Sequence, residues 1–321
     1  MKTNARIIGI LGASGFVGRN LLDSLSANQH KLRVFVRHKF RSRELNIYPN
    51  IEVVELDFKD EQALTRAIAD CDTIINLIGI LHEDRFGKEN TFQNIHVNLV
   101  RKIIKACNAN NVRRLIHISA INADPVRRKS KYLSSKGEGE NMTLVQTNKN
   151  INVTVLKPSI IFGADDSFIN MFADILRLPL VVFPLACPDF KLSPIAVEDV
   201  TDFIINSLDD EKTYGKAFNL CGKETYSLLE LINMIKSALE KKTLIIGLPK
   251  FLSKIQAAVL GVLPGKMFTL DNFYSLQHDA TCENKENVLT GSHSLKASLP
   301  AIVNAHEYRD RFSRYRKHDN I

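Results

Sequence analysis

Arg6–Leu25 reads RIIGILGASGFVGRNLLDSL, and the reading of the fold starts there. Ile7, Ile8, Ile10 and Leu11 form a short apolar run, the pattern of a strand buried on both faces. Gly12, Gly15 and Gly18 follow at once, and Val17, Leu21, Leu22 and Leu25 then recur at helical spacing. Each glycine has its own reason. Gly12 permits a tight turn off the strand, Gly15 lets backbone approach a pyrophosphate, and Gly18 permits close helix–strand packing. The helix start presents unpaired N–H groups and a positive dipole end to phosphates. Glycine-rich turns are common, so the weight lies in the context, a strand before and a helix after. The stretch predicts a dinucleotide site.

The rest of the composition is that of an ordinary globular chain. Its 321 residues, 45% hydrophobic and 24% charged, suit one large or two interlocked domains. Lys2 and Arg6 lead into a glycine-punctuated strand and not a signal-peptide core, and no apolar run reaches the roughly 18 residues of a membrane span. A cytoplasmic protein is expected. Cys71, Cys107, Cys187, Cys221 and Cys282 are scattered, odd in number and without a C-x-x-C pair, which predicts buried or free thiols in a reducing compartment and not a metal site. His293, His306 and His318 are too dispersed for a metal site. The net charge of +8 gathers at Arg33–Arg43, at Arg127, Arg128, Lys129 and Lys131, and at Arg309–Lys317. Few aromatics accompany these groups, so nucleic acid is not expected as a partner.

Taken in order, the first half alternates strand and helix. Strands are expected at Leu32–Val36, Ile51–Leu56, Thr73–Ile78, Arg114–Ser119 and Val153–Leu156, and helices at Gln62–Ala69, Ile95–Asn108 and Tyr132–Thr147. This alternation predicts an α/β, Rossmann-like, doubly wound parallel sheet with ligands at the carboxyl ends of its strands. Where an NAD site usually carries Asp or Glu after its second strand, this chain has Arg37-His38-Lys39. Arg37 can fork onto a 2′-phosphate, favouring NADP(H) over NAD(H), unless it is an exposed loop charge. Asp57, past the third strand, either reaches the adenine or caps the next helix.

Tyr132 and Lys136 stand four residues apart, on one face of a helix. An ammonium near a phenol favours phenolate, which equips Tyr132 as a general acid or base for carbonyl chemistry. Ser119 ends the preceding strand and is the third catalytic candidate.

GASGFVG, LDFKD, Asn76–Gly79, His117–Ala120, YLSSKGEGE, Lys157–Gly163 and Ile195–Val200 together resemble an extended or atypical short-chain dehydrogenase/reductase of the NAD-dependent epimerase/dehydratase kind. HISA followed by a basic stretch and YLSSKGEGE is similar to the dehydrogenase-like accessory subunit of respiratory complex I and its bacterial relatives. The resemblance implies that Gly12, Ser14, Gly15, Phe16, Val17 and Gly18 hold the pyrophosphate, Arg37 the 2′-phosphate, and Asp57 and Phe58 the adenine edge. Leu77, Ile78, Gly79 and Ile118 would line the cofactor, and Tyr132 and Lys136 would hold the nicotinamide ribose. Pro158, Ile160 and Ile161 would line the nicotinamide.

One departure bears on turnover. Active extended members carry Ser or Thr where this chain has Ala120, and a one-residue slip turns Ser119 to the opposite face. The expected domains are 1–162 with about 195–222 for the dinucleotide, and 163–194 with 223–321 as a smaller substrate or lid region. Glu198 and Asp199 read as helix-start acids, and Tyr226–Leu239 as a core-packed amphipathic helix. Phe251, Leu252, Ile255, Val259 and Val262 share a helical stripe within Phe251–Leu263, with Lys250, Lys254 and Lys266 at intervals. A core or lid helix is favoured there over an interfacial one meeting anionic headgroups. Two functions stay open. One is a weakly active or inactive NADP(H)-binding protein in a structural, assembly or sensing role beside respiratory or quinone machinery, peripheral to the inner membrane. The other is an active reductase or nucleotide-sugar epimerase, with a small-molecule or quinone-like substrate.

Overall fold

A computed structural model describes residues 6–26, 30–84, 89–127, 129–148, 150–262 and 268–305. Lys2, Arg128, Leu263, Lys266, His306, His318 and the basic group at 309–317 lie outside the described residues. The elements in chain order are β1 (Ile7–Leu11), α1 (Phe16–Ser26), β2 (Lys31–Val36), β3 (Ile51–Glu55), α2 (Glu61–Ala67), β4 (Thr73–Asn76), α3 (Leu99–Ala109), β5 (Arg114–Ile118), α4 (Lys131–Leu144) and β6 (Asn152–Pro158). They continue with β7 (Ile161–Phe162), α5 (Phe168–Arg177), β8 (Val182–Leu185), β9 (Lys191–Leu192), β10 (Ile195–Ala196), α6 (Val197–Ser207) and β11 (Lys216–Cys221). The last are β12 (Tyr226–Ser227), α7 (Leu228–Ala238), β13 (Leu244–Gly247), α8 (Lys250–Leu260), α9 (Leu270–Ser275) and β14 (Val288–Thr290).

The chain divides into two compact units. The first holds the described parts of Met1–Pro158, Val200–Leu220 and Lys285–Leu289. Its eight-stranded sheet runs β14-β11-β6-β5-β4-β1-β2-β3, and every pair from β11 to β3 is parallel. The strand order turns back between β1 and β4, which places a ligand crevice past their carboxyl ends. Ile8, Ile10 and Leu11 are buried, as a strand covered on both faces requires. Leu64 of α2 and Val100, Ile103 and Cys107 of α3 pack with Leu11, Phe35, Ile74, Leu115 and Val153 into one apolar core. Arg114 of β5 is buried: its guanidinium donates to the Asn152 and Ser207 carbonyls and to Thr154 Oγ1, which ties β5, β6 and α6 together.

The second unit holds the described parts of Ser159–Asp199, Cys221–Asn284 and Thr290–Ile321. Its sheets are two-stranded: β10 with β7, β12 with β9, and β13 with β8. Ser227 and Glu230 close a reciprocal cap on α7, whose Leu228, Leu231, Ile232 and Ile235 are buried. Asp199 accepts from the Ser292 and His293 amides and from the Ser292 hydroxyl, so it fastens the 291–293 segment. Burial alone would raise its carboxyl, but these bonds hold it below the usual range.

Two expectations are corrected here. Cys221 and Cys282 form a disulfide with Cα atoms 6.0 Å apart, leaving Cys71, Cys107 and Cys187 as thiols. The partners lie 61 residues apart, so no local spacing announces them. The apolar stripe of α8 also does not pack inward. Ser253 and Ala257 are its buried contacts, and Phe251, Leu252, Ile255 and Val259 are exposed.

Candidate functional site

The turn from β1 into α1 is built by glycine. Gly12 has φ +88°, in the left-handed region, and a Cβ there would lie 3.1 Å from the Leu77 and Ile78 backbone. At Gly18 a Cβ would run into the Gly12 carbonyl oxygen, so α1 starts as close to the turn as backbone allows. The Gly15 amide donates to the Gly12 carbonyl at 3.0 Å, and Arg19 Nη1 donates to the Ser14 carbonyl at 2.7 Å. No acid stands in the first turn of α1, so its Phe16–Val17 end keeps its positive potential. A turn that a Cβ would fill, opening onto an unneutralised helix start, fits a pyrophosphate. Leu77, whose amide donates to the Leu11 carbonyl at 2.9 Å, carries the end of β4 to the same turn.

Arg37 is exposed, one residue past β2, and its Nη1 donates to Asn90 Oδ1 at 3.3 Å. The register pairs Val36 with Glu55, whose carboxylate accepts the Lys39 amide at 2.8 Å. The loop after β2 thus meets an acid that comes from β3, where linear reading saw none before Glu44. Asp57 takes part in a tight turn, accepting the Lys59 amide on its side chain and the Asp60 amide on its carbonyl. The cap of α2 is Asp60, which accepts from the Gln62 and Ala63 amides at 2.9 Å. That corrects the capping alternative for Asp57. Phe58 is half-buried next to it.

Ser130 caps α4, the helix that carries Tyr132 and Lys136. The Lys136 ammonium is buried and donates to the Ile118 carbonyl at 2.7 Å. Burial lowers it to about 8, against the field of Glu140, which raises it. The Tyr132 ring meets Phe92 and His96 edge-on, with centroids 5.9 and 5.6 Å away. His96 sits in a π-helical turn, Gln93–Asn98, and Gly139 of α4 lets that turn approach closely. Its Nε2 accepts the Ile80 amide at 3.1 Å, which leaves Nδ1 to donate to Ser135 Oγ at 2.9 Å. Ser135 in turn donates to the Tyr132 carbonyl at 2.9 Å. Burial, then the neighbouring Lys136 charge, pushes His96 down to about 2, so the ring is neutral. Gly79 faces both groups: a Cβ there would stand 3.8 Å from His96 Nε2 and from Lys136 Nζ.

Ser119 points into a different network. Its hydroxyl donates to Glu140 Oε2 at 2.7 Å, and Glu140 Oε1 pairs with Lys157 at 2.7 Å. Ala120 is buried and brings no hydroxyl. Behind them, Asn76 Nδ2 donates to His117 Nδ1 at 3.0 Å, and burial takes His117 down to about 3. Pro158 closes β6, its carbonyl accepting the Ile121 amide at 3.0 Å. Ile160 and Ile161 fall in the second unit, where the Ile160 carbonyl accepts the Ile195 amide. The site residues that sequence reading missed are His96, Phe92 and Glu140. A lone histidine in a helical stretch carries no local mark of the π-turn that aims it.

Residues 12–173 match the family model described as NAD(P)H-binding. The chain belongs to the NAD(P)-binding, Rossmann-fold, short-chain dehydrogenase-like family. Within that family it is 30% identical over 266 residues to NADH dehydrogenase [ubiquinone] 1 alpha subcomplex subunit 9, mitochondrial, of Mus musculus, covering 81% of this chain and 68% of that one. It is 24% identical over 281 residues to N-acetyl-alpha-D-glucosaminyl-diphospho-ditrans,octacis-undecaprenol 4-epimerase of Escherichia coli O157:H7, covering 82% of each. Its fold matches UDP-glucuronic acid 4-epimerase from Bacillus cereus, solved with UDP-glucuronic acid and NAD, with TM-score 0.70 and 17% identity, covering 94% of this chain and 99% of that one. The NAD(P)-binding family and the β1–α1 turn thus agree on a nicotinamide dinucleotide.

Proposed function

We propose that this protein holds NADP(H) as a structural, assembly or sensing ligand beside respiratory or quinone machinery, with little or no turnover. The observation that carries the reading is the fate of the hydroxyl. Ser119 Oγ is engaged by buried Glu140, and Ala120 follows it, so these two residues offer a substrate carbonyl no free hydroxyl. Arg37, exposed where a 2′-phosphate would lie, supports the phosphorylated dinucleotide. Gly12–Gly18 would hold the pyrophosphate, Asp57 and Phe58 the adenine edge, and Tyr132 and Lys136 the nicotinamide ribose. Two relatives bear names that include an isoprenoid, ubiquinone in one and undecaprenol in the other. That suggests a quinone-like or isoprenoid-tailed partner and a place peripheral to the inner membrane, on its cytoplasmic side.

The second reading is an active reductase or epimerase. It is favoured by Lys136, whose buried ammonium, lowered to about 8, sits one helical turn from Tyr132. The bound dinucleotide would supply hydride chemistry, and Tyr132 would move the proton. Titration of nicotinamide fluorescence with NADPH and with NADH tests the first reading. Tight NADPH binding is expected, and Arg37→Glu should weaken it about tenfold or more while leaving NADH within about twofold. Equal loss for both removes Arg37 from the site. Rapid oxidation of the bound NADPH by a quinone or a nucleotide sugar decides for the enzyme.

A further inference from the structure

Helix α8 is held to its own unit by its small and polar side. Ser253 is fully buried, donates to the Leu248 carbonyl at 3.1 Å and accepts the Cys187 amide at 3.1 Å. Gln256 Nε2 donates to the Pro184 carbonyl at 3.0 Å, and Ala257 is fully buried. At 100° per residue the opposite side of the helix is an arc of Phe251, Leu252, Ile255, Ala258 and Val259, with no polar residue in it, and Val262 follows in the turn after the helix. Phe251 is 73% exposed, Ile255 45%, Val259 58% and Val262 73%. Leu244 and Ile246 on β13 and Val181 and Val182 at β8, the sheet beneath, are exposed as well. A helix face this apolar and this exposed marks a contact surface, because water otherwise bears its full cost.

The charge around it names the contact. From Lys241 to Leu270 the sequence holds Lys241, Lys242, Lys250, Lys254 and Lys266 and no Asp or Glu. Lys241, Lys242, Lys250 and Lys254 are exposed. Lysine is depleted in the core of protein interfaces, whereas at a lipid surface its stem lies along the acyl boundary and its ammonium reaches the headgroups. No helix among the described residues is long and apolar enough to cross a membrane, so the geometry is that of a helix lying on one.

We propose that α8 is a membrane-docking element, entering the headgroup boundary of an anionic bilayer with its Phe251–Val259 arc while Lys241, Lys242, Lys250 and Lys254 bind the headgroups. The proposal supplies the surface for peripheral association and stands without the cofactor reading. Co-sedimentation of the full chain with phosphatidylcholine vesicles, plain or mixed with phosphatidylglycerol, tests it. The protein pellets with the mixed vesicles, more weakly with the plain ones, and less as salt is raised. Phe251→Ser/Val259→Ser lowers the partition coefficient about tenfold or more, and Lys250→Glu/Lys254→Glu about fivefold or more. Val145→Ser, an exposed apolar residue elsewhere, changes nothing. An unchanged thermal midpoint and NADPH titration show that each variant is folded, so loss of docking is separable from loss of cofactor binding. The lysine pair, on exposed positions, reports independently of the apolar pair. Absence of pelleting overturns the proposal, as does pelleting that neither double variant reduces. Concentration-dependent self-association that Phe251→Ser/Val259→Ser abolishes, without vesicle binding, assigns the face to a second copy and also overturns it.

Discussion

Lys136 shows what the site asks of one residue. Its ammonium is buried, its bond goes to the neutral Ile118 carbonyl, and burial outweighs Glu140, so its affinity for a proton falls to about 8 from 10.5. Below the folded value both states carry the proton and the cost of burying it is present in full. Between about 8 and 10.5 the unfolded chain still binds a proton that the folded chain has released, so this group makes stability rise with pH. Wild-type protein without nucleotide should therefore gain thermal stability relative to Lys136→Met as pH is raised from about 8 to about 10. A constant difference in melting temperature across that range would place Lys136 in contact with water. The Tyr132–Lys136 spacing was readable from the chain, because four residues along a helix always share a face. The burial that perturbs the lysine was not, because Ile118 and the turn that carries His96 come from two other places in the sequence.

Among the elements, α2 separates two neighbouring aspartates by role. Asp60 satisfies two otherwise unpaired amides of the first turn, and among the described residues Asp57 bonds within the turn ahead of it. Asp60→Ala should cost about 1 kcal/mol of stability by chemical denaturation, and Asp57→Ala no more than about 0.5 kcal/mol. If Asp57 costs as much as Asp60, the cap is shared. Both residues stand just before an apolar helical pattern, and the sequence reading offered only Asp57 as a cap. The choice rests on the backbone of Asp60, extended at φ −83° and ψ 105°, which aims its carboxylate at the helix start. The β1–α1 turn needed no such arbitration. Its strand, glycines and helix are contiguous, and local sterics select the turn before any tertiary contact forms.

At the scale of the molecule, the second unit is closed by a covalent tie that composition did not foretell. Cys221 ends β11, and Cys282 precedes the segment that returns to the first unit. Thiol titration of denatured, unreduced protein should find three reactive groups and not five. Reduction, or Cys221→Ser/Cys282→Ser, should lower unfolding stability by about 2–4 kcal/mol, because it frees a long loop in the unfolded chain. Five reactive thiols in protein isolated without reductant would show that the pair is not formed in solution.

The chain by itself determined the doubly wound sheet, the glycine turn at β1–α1 and the helix face shared by Tyr132 and Lys136. These depend on alternation, contiguity and fixed helical spacing, all of which are local. Tertiary structure decided what linear order cannot express. It gave the Ser119 hydroxyl to Glu140, set Glu55 beside the loop of Arg37, joined Cys221 to Cys282 and turned the apolar side of α8 outward. Each of these turns on which distant segment supplies the neighbour. An amphipathic pattern states that a helix has an apolar side, and only packing settles whether that side meets the protein's core or something outside it.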